Sequence, residues 1–230
     1  MKKREFLKKS AALASLAVFP SPLWSIKNPN IRLAQIGVGG MGAQDLNSMS
    51  SHSSVSVVAL CDVDLSALNE AKKIHPNAKA YSDYRIMLKE MKDEIDAVQV
   101  STPDHTHAPA SIMAMNLNKH VYCQKPLTHN PSESRLMMKI AKEKKLTTQM
   151  GIQVHSFYDY KLATILIKGG IIGKIKTVRA WTHGNSGYDG PIPMGNDPIP
   201  ESLNWNLWLG TSPERPYKKG YYHPSEWRKI

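Results

Sequence analysis

The 230-residue chain has only two cysteines, Cys61 and Cys123, and no apolar run approaching the roughly 20 residues that span a bilayer. The first scarcity excludes a disulfide framework, and the second argues against stable insertion in a membrane. Acidic residues are also few, 19 against 30 Lys and Arg, for a net charge of +11. Such a surplus would suit nucleic acid, but Lys2, Lys3, Arg4, Lys8, Lys9 and Lys27 crowd into the first thirty positions against Glu5 alone. The remainder carries only +6. Those later charges are spread along helical stretches, without the interleaved aromatics of a nucleic-acid face, so no nucleic-acid partner is expected. Internal repeats and low-complexity tracts are absent as well.

The basic start, KKREFLKKS, is followed by a short apolar run from Ala11 to Phe19 and a Pro/Ser-rich exit, the arrangement of an export signal. Lys3-Arg4-Glu5-Phe6-Leu7-Lys8 resembles the twin-arginine signal, with lysine in place of the first arginine. No cysteine lies in this leader, which argues against a lipoprotein anchor. Residues 1–30 are therefore expected to act as export signal and linker, placing the protein in the periplasm or outside the cell. The alternative is a cytoplasmic protein whose first helix belongs to the fold.

What the chain does have is concentrated at Ile31–Gly42, IRLAQIGVGGMG, where an apolar run leads into Gly37-x-Gly39-x-x-Gly42. A buried strand, a tight glycine turn and a helix N-terminus follow from that order, and such a turn lets backbone N–H groups approach a pyrophosphate. A second valine-rich run, Ser54–Leu60, ends at Cys61-Asp62-Val63-Asp64, twenty-five residues beyond Gly37 at Asp62. An acid there is placed to accept hydrogen bonds from ribose hydroxyls, and it suits NAD better than NADP, whose 2′-phosphate would meet a like charge. Asp64 is the better N-cap of the following helix, which leaves Asp62 for the ribose.

From residue 31 to residue 150, apolar runs alternate with helical patterns, predicting βαβ units around a doubly wound parallel sheet, a Rossmann domain. Strands are expected at Ile31–Ile36, Val55–Leu60, Ala78–Tyr81, Ala97–Val100, His120–Cys123 and Thr147–Met150. Helices are expected at Met41–Met49, Leu65–Ile74, Tyr84–Met91, Pro109–Leu117, Ser132–Lys144 and Tyr158–Lys168. In the order 3-2-1-4-5-6 the two cysteines fall on non-adjacent strands, so buried free thiols are predicted. Beyond Gly151 the pattern yields a strand-like run at Ile175–Thr182 and then a Pro-, Gly- and Trp-rich stretch. Residues 151–230 are read as the truncated start of an α+β substrate domain, and the chain as an N-terminal fragment of a longer protein.

Two further segments close parallel strands at their carboxyl ends, where open α/β sheets bind ligands: Ser101-Thr102-Pro103-Asp104-His105-Thr106-His107 and Gln124-Lys125-Pro126. His105 and His107 could instead form a metal pair, but no further ligand cluster accompanies them, and no metal is expected. Together, the glycine loop, the acid after the second strand, the T-P-x-x-x-H segment and the Lys-Pro pair resemble the Gfo/Idh/MocA oxidoreductases. NWNLWLG, SPERPY and HPSEW look like exported, sugar-processing members of that family.

The resemblance implies an NAD(P)-dependent oxidoreductase acting on a sugar, polyol or glycoside hydroxyl by hydride transfer to nicotinamide, usually as a homo-oligomer. By position, Gly37, Gly39, Gly40, Met41 and Gly42 would hold the pyrophosphate and Asp62 the ribose. Ser101, Thr102, Pro103, His105 and His107 would line the nicotinamide side, joined by Gln124, Lys125 and Gln153. Lys125 matches the lysine of the Glu-Lys-Pro motif and is the expected catalytic residue, an ammonium that orients the hydroxyl and assists proton removal. Gln124 departs from the family's glutamate. The Asp-x-x-x-His pattern that commonly carries the general base is missing before Ile230. Two other functions remain open: an NAD-dependent glycosidase using transient oxidation and elimination, and a non-catalytic nucleotide-binding sensor or scaffold.

Overall fold

The computed structural model describes residues 30–181, 191 and 193–223. The expected export leader therefore lies outside the described residues, as do Thr182, His183 and the end of HPSEW. The chain divides into Met1–Asn30 and Ile31–Ile230; everything below concerns the second unit.

Six parallel strands, β1 (Ile31–Ile36), β2 (Val55–Cys61), β3 (Lys79–Tyr81), β4 (Ala97–Val100), β5 (His120–Gln124) and β6 (Thr148–Gly151), form one sheet in the order β3-β2-β1-β4-β5-β6. Between them run α1 (Met41–Ser50), α2 (Leu65–Ile74), α3 (Tyr84–Glu90), α4 (Asp104–Asn116) and α5 (Pro131–Lys144), with α6 (Tyr158–Lys168) and α7 (Trp205–Leu209) after the sheet. Short polar side chains set the helix starts. Asp64 caps α2 through Ser66 N–H, Asp83 caps α3 through Arg85 N–H, and Asn130 with Glu133 forms a capping box ahead of Pro131.

Strand alternation divides the core into two layers. Leu46, Leu60, Leu68 and Ala71 pack on the face covered by α1 and α2, while Met87, Met91, Val98, Ala114, Met115 and Ile140 pack on the face covered by α3, α4 and α5. Right-handed crossovers that move outward in opposite directions from β1 and β4 must place their helices on opposite faces. The carboxyl ends of β1 and β4 therefore form the switch point, where a crevice opens.

The doubly wound sheet is as the sequence predicts, and three local readings change. First, α4 starts at Asp104, five residues before Pro109, because a proline within a helix removes one N–H without forbidding the turns ahead of it. The carbonyl that Pro109 leaves free, His105 O, accepts from Thr211 Oγ1 at 3.2 Å. Second, residues 175–181 form no strand: Ile175, Val178 and Trp181 are exposed, and an apolar alternation becomes a strand only where a neighbouring strand takes its N–H and C=O groups. Third, a 3₁₀ turn at Gln153–Ser156 and helix α7 appear in stretches where no periodicity marked them.

Cys61 and Cys123 are both free and buried, on β2 and β5, separated in the sheet by β1 and β4. Burial pushes the Cys61 thiol well up and the Cys123 thiol up to about 11. Both are therefore protonated and shielded at pH 8, where an exposed thiol ionises appreciably. The native protein is expected to take up no aromatic disulfide reagent at that pH, and two equivalents in denaturant. Fast labelling of either cysteine in the native state would contradict the packing.

Candidate cofactor site

The switch-point crevice is a cleft of about 740 Å³. Its floor is the glycine loop. Gly37 holds φ +83°, and a Cβ there would lie 2.7 Å from Ser101 O and 2.9 Å from Thr102 N, so β1 and the loop after β4 touch backbone to backbone. At Gly42 a Cβ would lie 2.2 Å from Gly37 O, which presses the start of α1 onto the turn. Gln35, fully buried on β1, donates from Nε2 to Gly37 O at 2.9 Å and fixes the first glycine from below.

Helix α1 follows Gly40 as its N-cap residue, with no side-chain cap and no acidic residue in its first turn. Apart from Gly42 N–H, which donates to Gly39 O at 2.8 Å, its leading N–H groups and positive dipole end are left for an anion, beside Gly39, Gly40 and Met41 on the cleft wall. The cradle fits a pyrophosphate.

Beyond the loop stands Asp62. Its carboxylate accepts from Val38 N–H at 2.8 Å and from Asp64 N–H at 2.9 Å. Burial raises this carboxyl from the ordinary Asp value, against the opposing pull of the N–H groups of Asp64, Val38 and Gly39. Asp64 takes the other role open to it, capping α2. Burial would raise it too, but hydrogen bonds from Ser66, His223 and Ser202 hold it below the ordinary value.

The cleft has a wall on which no expected site residue fell. Residues 200–223 return across the carboxyl edge of the sheet, pairing Asn204 N–H with Val63 O, Leu65 N–H with Ser202 O, and His223 Nε2 with Asp64 Oδ2 at 2.9 Å. A cluster of Trp205, Trp208, Tyr217 and Tyr222 packs this strap together; the two tryptophan rings stack at 4.8 Å, and Trp205 Nε1 donates to Arg215 O. Asn206, Leu207, Trp208, Gly210, Thr211 and His223 face the cleft. NWNLWLG held the signal for this wall, in the asparagine that caps α7 and the paired tryptophans, but sequence spacing alone did not say which surface they would cover.

The expected site residues divide between those on the cleft and those behind it. Gly37, Gly39, Gly40, Met41, Asp62, Ser101, Thr102, Pro103, Gln124 and Lys125 line it, whereas Gly42, His105, His107 and Gln153 do not. His105 donates from Nε2 to Trp208 O at 2.7 Å and so clamps the strap to α4; its burial lowers its pKa from the ordinary histidine value. The His107 ring is buried with its nitrogens 2.6 Å from Pro126 O and 2.7 Å from Thr102 O, tying the two loops that close β4 and β5. Gln153 Nε2 lies 4.0 Å from Met41 Sδ. The two histidines thus face different elements, and among the described residues no group of three His, Cys, Asp or Glu is placed to hold a metal. The Lys125–Pro126 peptide is cis, and the Lys125 side chain is exposed on the cleft.

A doubly wound sheet with a glycine cradle at its switch point and an acid at the end of β2 defines a dinucleotide-binding protein. The family model for oxidoreductases with an NAD-binding Rossmann fold matches residues 31–152, and the chain belongs to that family, Gfo/Idh/MocA. It is 37% identical over 135 residues to a glycosyl hydrolase family 109 protein of Stenotrophomonas maltophilia, covering 54% of this chain and 29% of that one. Inositol 2-dehydrogenase of Salmonella typhimurium is 28% identical over 142 residues, covering 60% and 42%. The crystal structure of myo-inositol 2-dehydrogenase from Lactobacillus plantarum superposes with a TM-score of 0.59 at 30% identity, covering 63% of this chain and 43% of that one. The chain spans less than half the length of each of these relatives.

Proposed function

We propose that the protein is an NAD-dependent oxidoreductase acting on a sugar, polyol or glycoside hydroxyl. The observation that carries this reading is one continuous cleft with the phosphate cradle and Asp62 along its lining and Lys125 on the same lining. A bound nicotinamide would supply the hydride acceptor. The α1 N-terminus holds the pyrophosphate, and Asp62, each of whose oxygens already accepts one backbone N–H, from Val38 and from Asp64, uses the remaining lone pairs to accept from the ribose hydroxyls. Lys125 meets the substrate hydroxyl, orienting it and stabilising the negative charge that grows on its oxygen. NAD is favoured over NADP because Asp62 would repel a 2′-phosphate. Arg85, which also lines the cleft, is paired with Asp83 at 2.7–3.1 Å, so part of its charge is already neutralised.

Residues 151–230 are read as part of a substrate domain, residues 1–30 as an export leader, and the assembly as a homo-oligomer. A second reading, an NAD-dependent glycosidase, draws on the relative named for glycosyl hydrolase family 109 and on the strap, which suits a cofactor retained through repeated turnovers.

The complete gene product, purified without added nucleotide, would be assayed for reduced-nicotinamide absorbance and then given free sugars, polyols and aryl glycosides. Net NADH formation is the expected result. Aglycone release without net NADH selects the glycosidase. Nucleotide binding with neither outcome overturns both and leaves a sensor or scaffold.

A further inference from the structure

The polar groups under the cleft are joined into one chain that starts on α1. Asp45, one turn beyond Gly42, is almost fully buried, as are Ser101 and Gln124. Ser101 Oγ donates to Asp45 Oδ2 at 2.7 Å, and Gln124 Nε2 donates to Asp45 Oδ2 at 2.9 Å and Oδ1 at 3.1 Å. On its other side, Gln124 Oε1 accepts from Lys125 N–H at 2.9 Å. The orientation of the amide follows from its partners, since only the nitrogen end can face a carboxylate and only the oxygen end an N–H.

We propose that Gln124 is a positioning residue, an amide that couples the Asp45 carboxylate on the cradle helix to the backbone of Lys125 and so holds the phosphate-binding and substrate-facing ends of the cleft in one geometry. Glutamine suits this position because the negative charge already arrives from α1, at Asp45. A glutamate at 124 would still accept from Lys125 N–H, but its second oxygen would face the Asp45 carboxylate at about 3 Å, where two like charges in a buried site cannot both persist. Reversing the pair removes the conflict. With asparagine at 45, its oxygen accepts from Ser101 and its nitrogen, at the place of Oδ1, donates to a glutamate at 124, so the chain from Ser101 to Lys125 N–H stays connected through one bond between 45 and 124 instead of two, with the charge moved to the other residue. Buried polar networks behave as units of this kind, strongly coupled when fully satisfied and costly when one member is wrong. The substrate-facing part of the proposal rests on the oxidoreductase reading; the coupling itself does not.

The test is a cycle of wild type, Gln124→Glu, Asp45→Asn and the double variant, read by NADH affinity, by thermal midpoint and by hydrogen exchange at the Lys125 amide. Gln124→Glu is expected to weaken NADH binding about tenfold and to lower the midpoint by about 5 °C, with the double variant back within about twofold of wild type. Gln124→Leu should speed exchange of the Lys125 amide, which the double variant leaves slow. If the single variants' effects simply add, or the Lys125 amide exchanges alike in Gln124→Leu and wild type, the coupling is wrong. Should Gln124→Glu fail to fold, recovery of a folded double variant supports the coupling, and failure of both overturns it. Absence of NADH binding in wild type would sink the functional reading alone, because the thermal midpoints still report the coupling.

Discussion

Replacing Gly42 with alanine is expected to abolish measurable NAD(H) binding and to destabilise the fold by about 3 kcal/mol or more, an overpacking cost with no side chain free to yield. The new Cβ would stand 2.2 Å from Gly37 O and 2.7 Å from Gly37 C, both backbone atoms. Gly37 is itself confined, donating from N to Cys61 O at 2.8 Å and lying against the Ser101–Thr102 backbone. The clash can be relieved only by lifting the start of α1 from the turn, and that movement takes the leading N–H groups away from the anion. Gly40→Ala is the matched control. Its φ of +52° imposes backbone strain of about 1–3 kcal/mol, but nothing lies within 4 Å of the added Cβ. Urea unfolding and fluorescence titration with NADH measure both effects. Binding by Gly42→Ala within a few-fold of wild type would show that the dinucleotide does not use this cradle.

Lys125→Ala is expected to leave NADH affinity within a few-fold of wild type while lowering turnover about 10²- to 10⁴-fold, the range for a positioned acid or base. The separation follows from the lysine's place. Its backbone is held from behind, by Gln124 at its N–H and by the His107 ring at Pro126 O, while its side chain is exposed on the cleft at the end of β5 and the glycine loop follows β1. Removing the ammonium therefore alters what meets the substrate and spares what holds the pyrophosphate. Steady-state rates on whichever substrate supports turnover, alongside NADH titration, make the distinction. Equal loss of affinity and turnover would place Lys125 in cofactor binding instead.

The residues legible in the sequence are those whose chemistry depends on near neighbours in the chain. Gly37, Gly39 and Gly42 announce a turn because the steric demand arises within six residues. Asp64 is recognisable as a cap because its partner, Ser66 N–H, is two residues away. The inner strands β1 and β2 were equally plain, since strands covered on both faces are rich in apolar residues, whereas the edge strands β3 (KAY) and β6 (TQMG) are short and partly exposed. His105 and His107 were visible as residues but not as parts of the machine: the first finds its partner 103 positions later, at Trp208, and the second bridges two loops. Asp45 gave no signal at all. An acid one turn into an amphipathic helix reads as solvated, and only the approach of β5 to α1 turns it into the buried counterpart of Gln124, 79 residues away.

The sequence by itself determined the doubly wound sheet, the glycine cradle and the acid at the end of β2, because period, turn chemistry and strand composition are local properties that folding has to respect. Tertiary structure alone decided the strap over the cleft, the use of two histidines as clamps, and the route from Asp45 through Gln124 to Lys125. Those depend on which surfaces meet when the crossovers wind in opposite directions from β1 and β4, and on hydrogen bonds whose partners lie tens of residues apart.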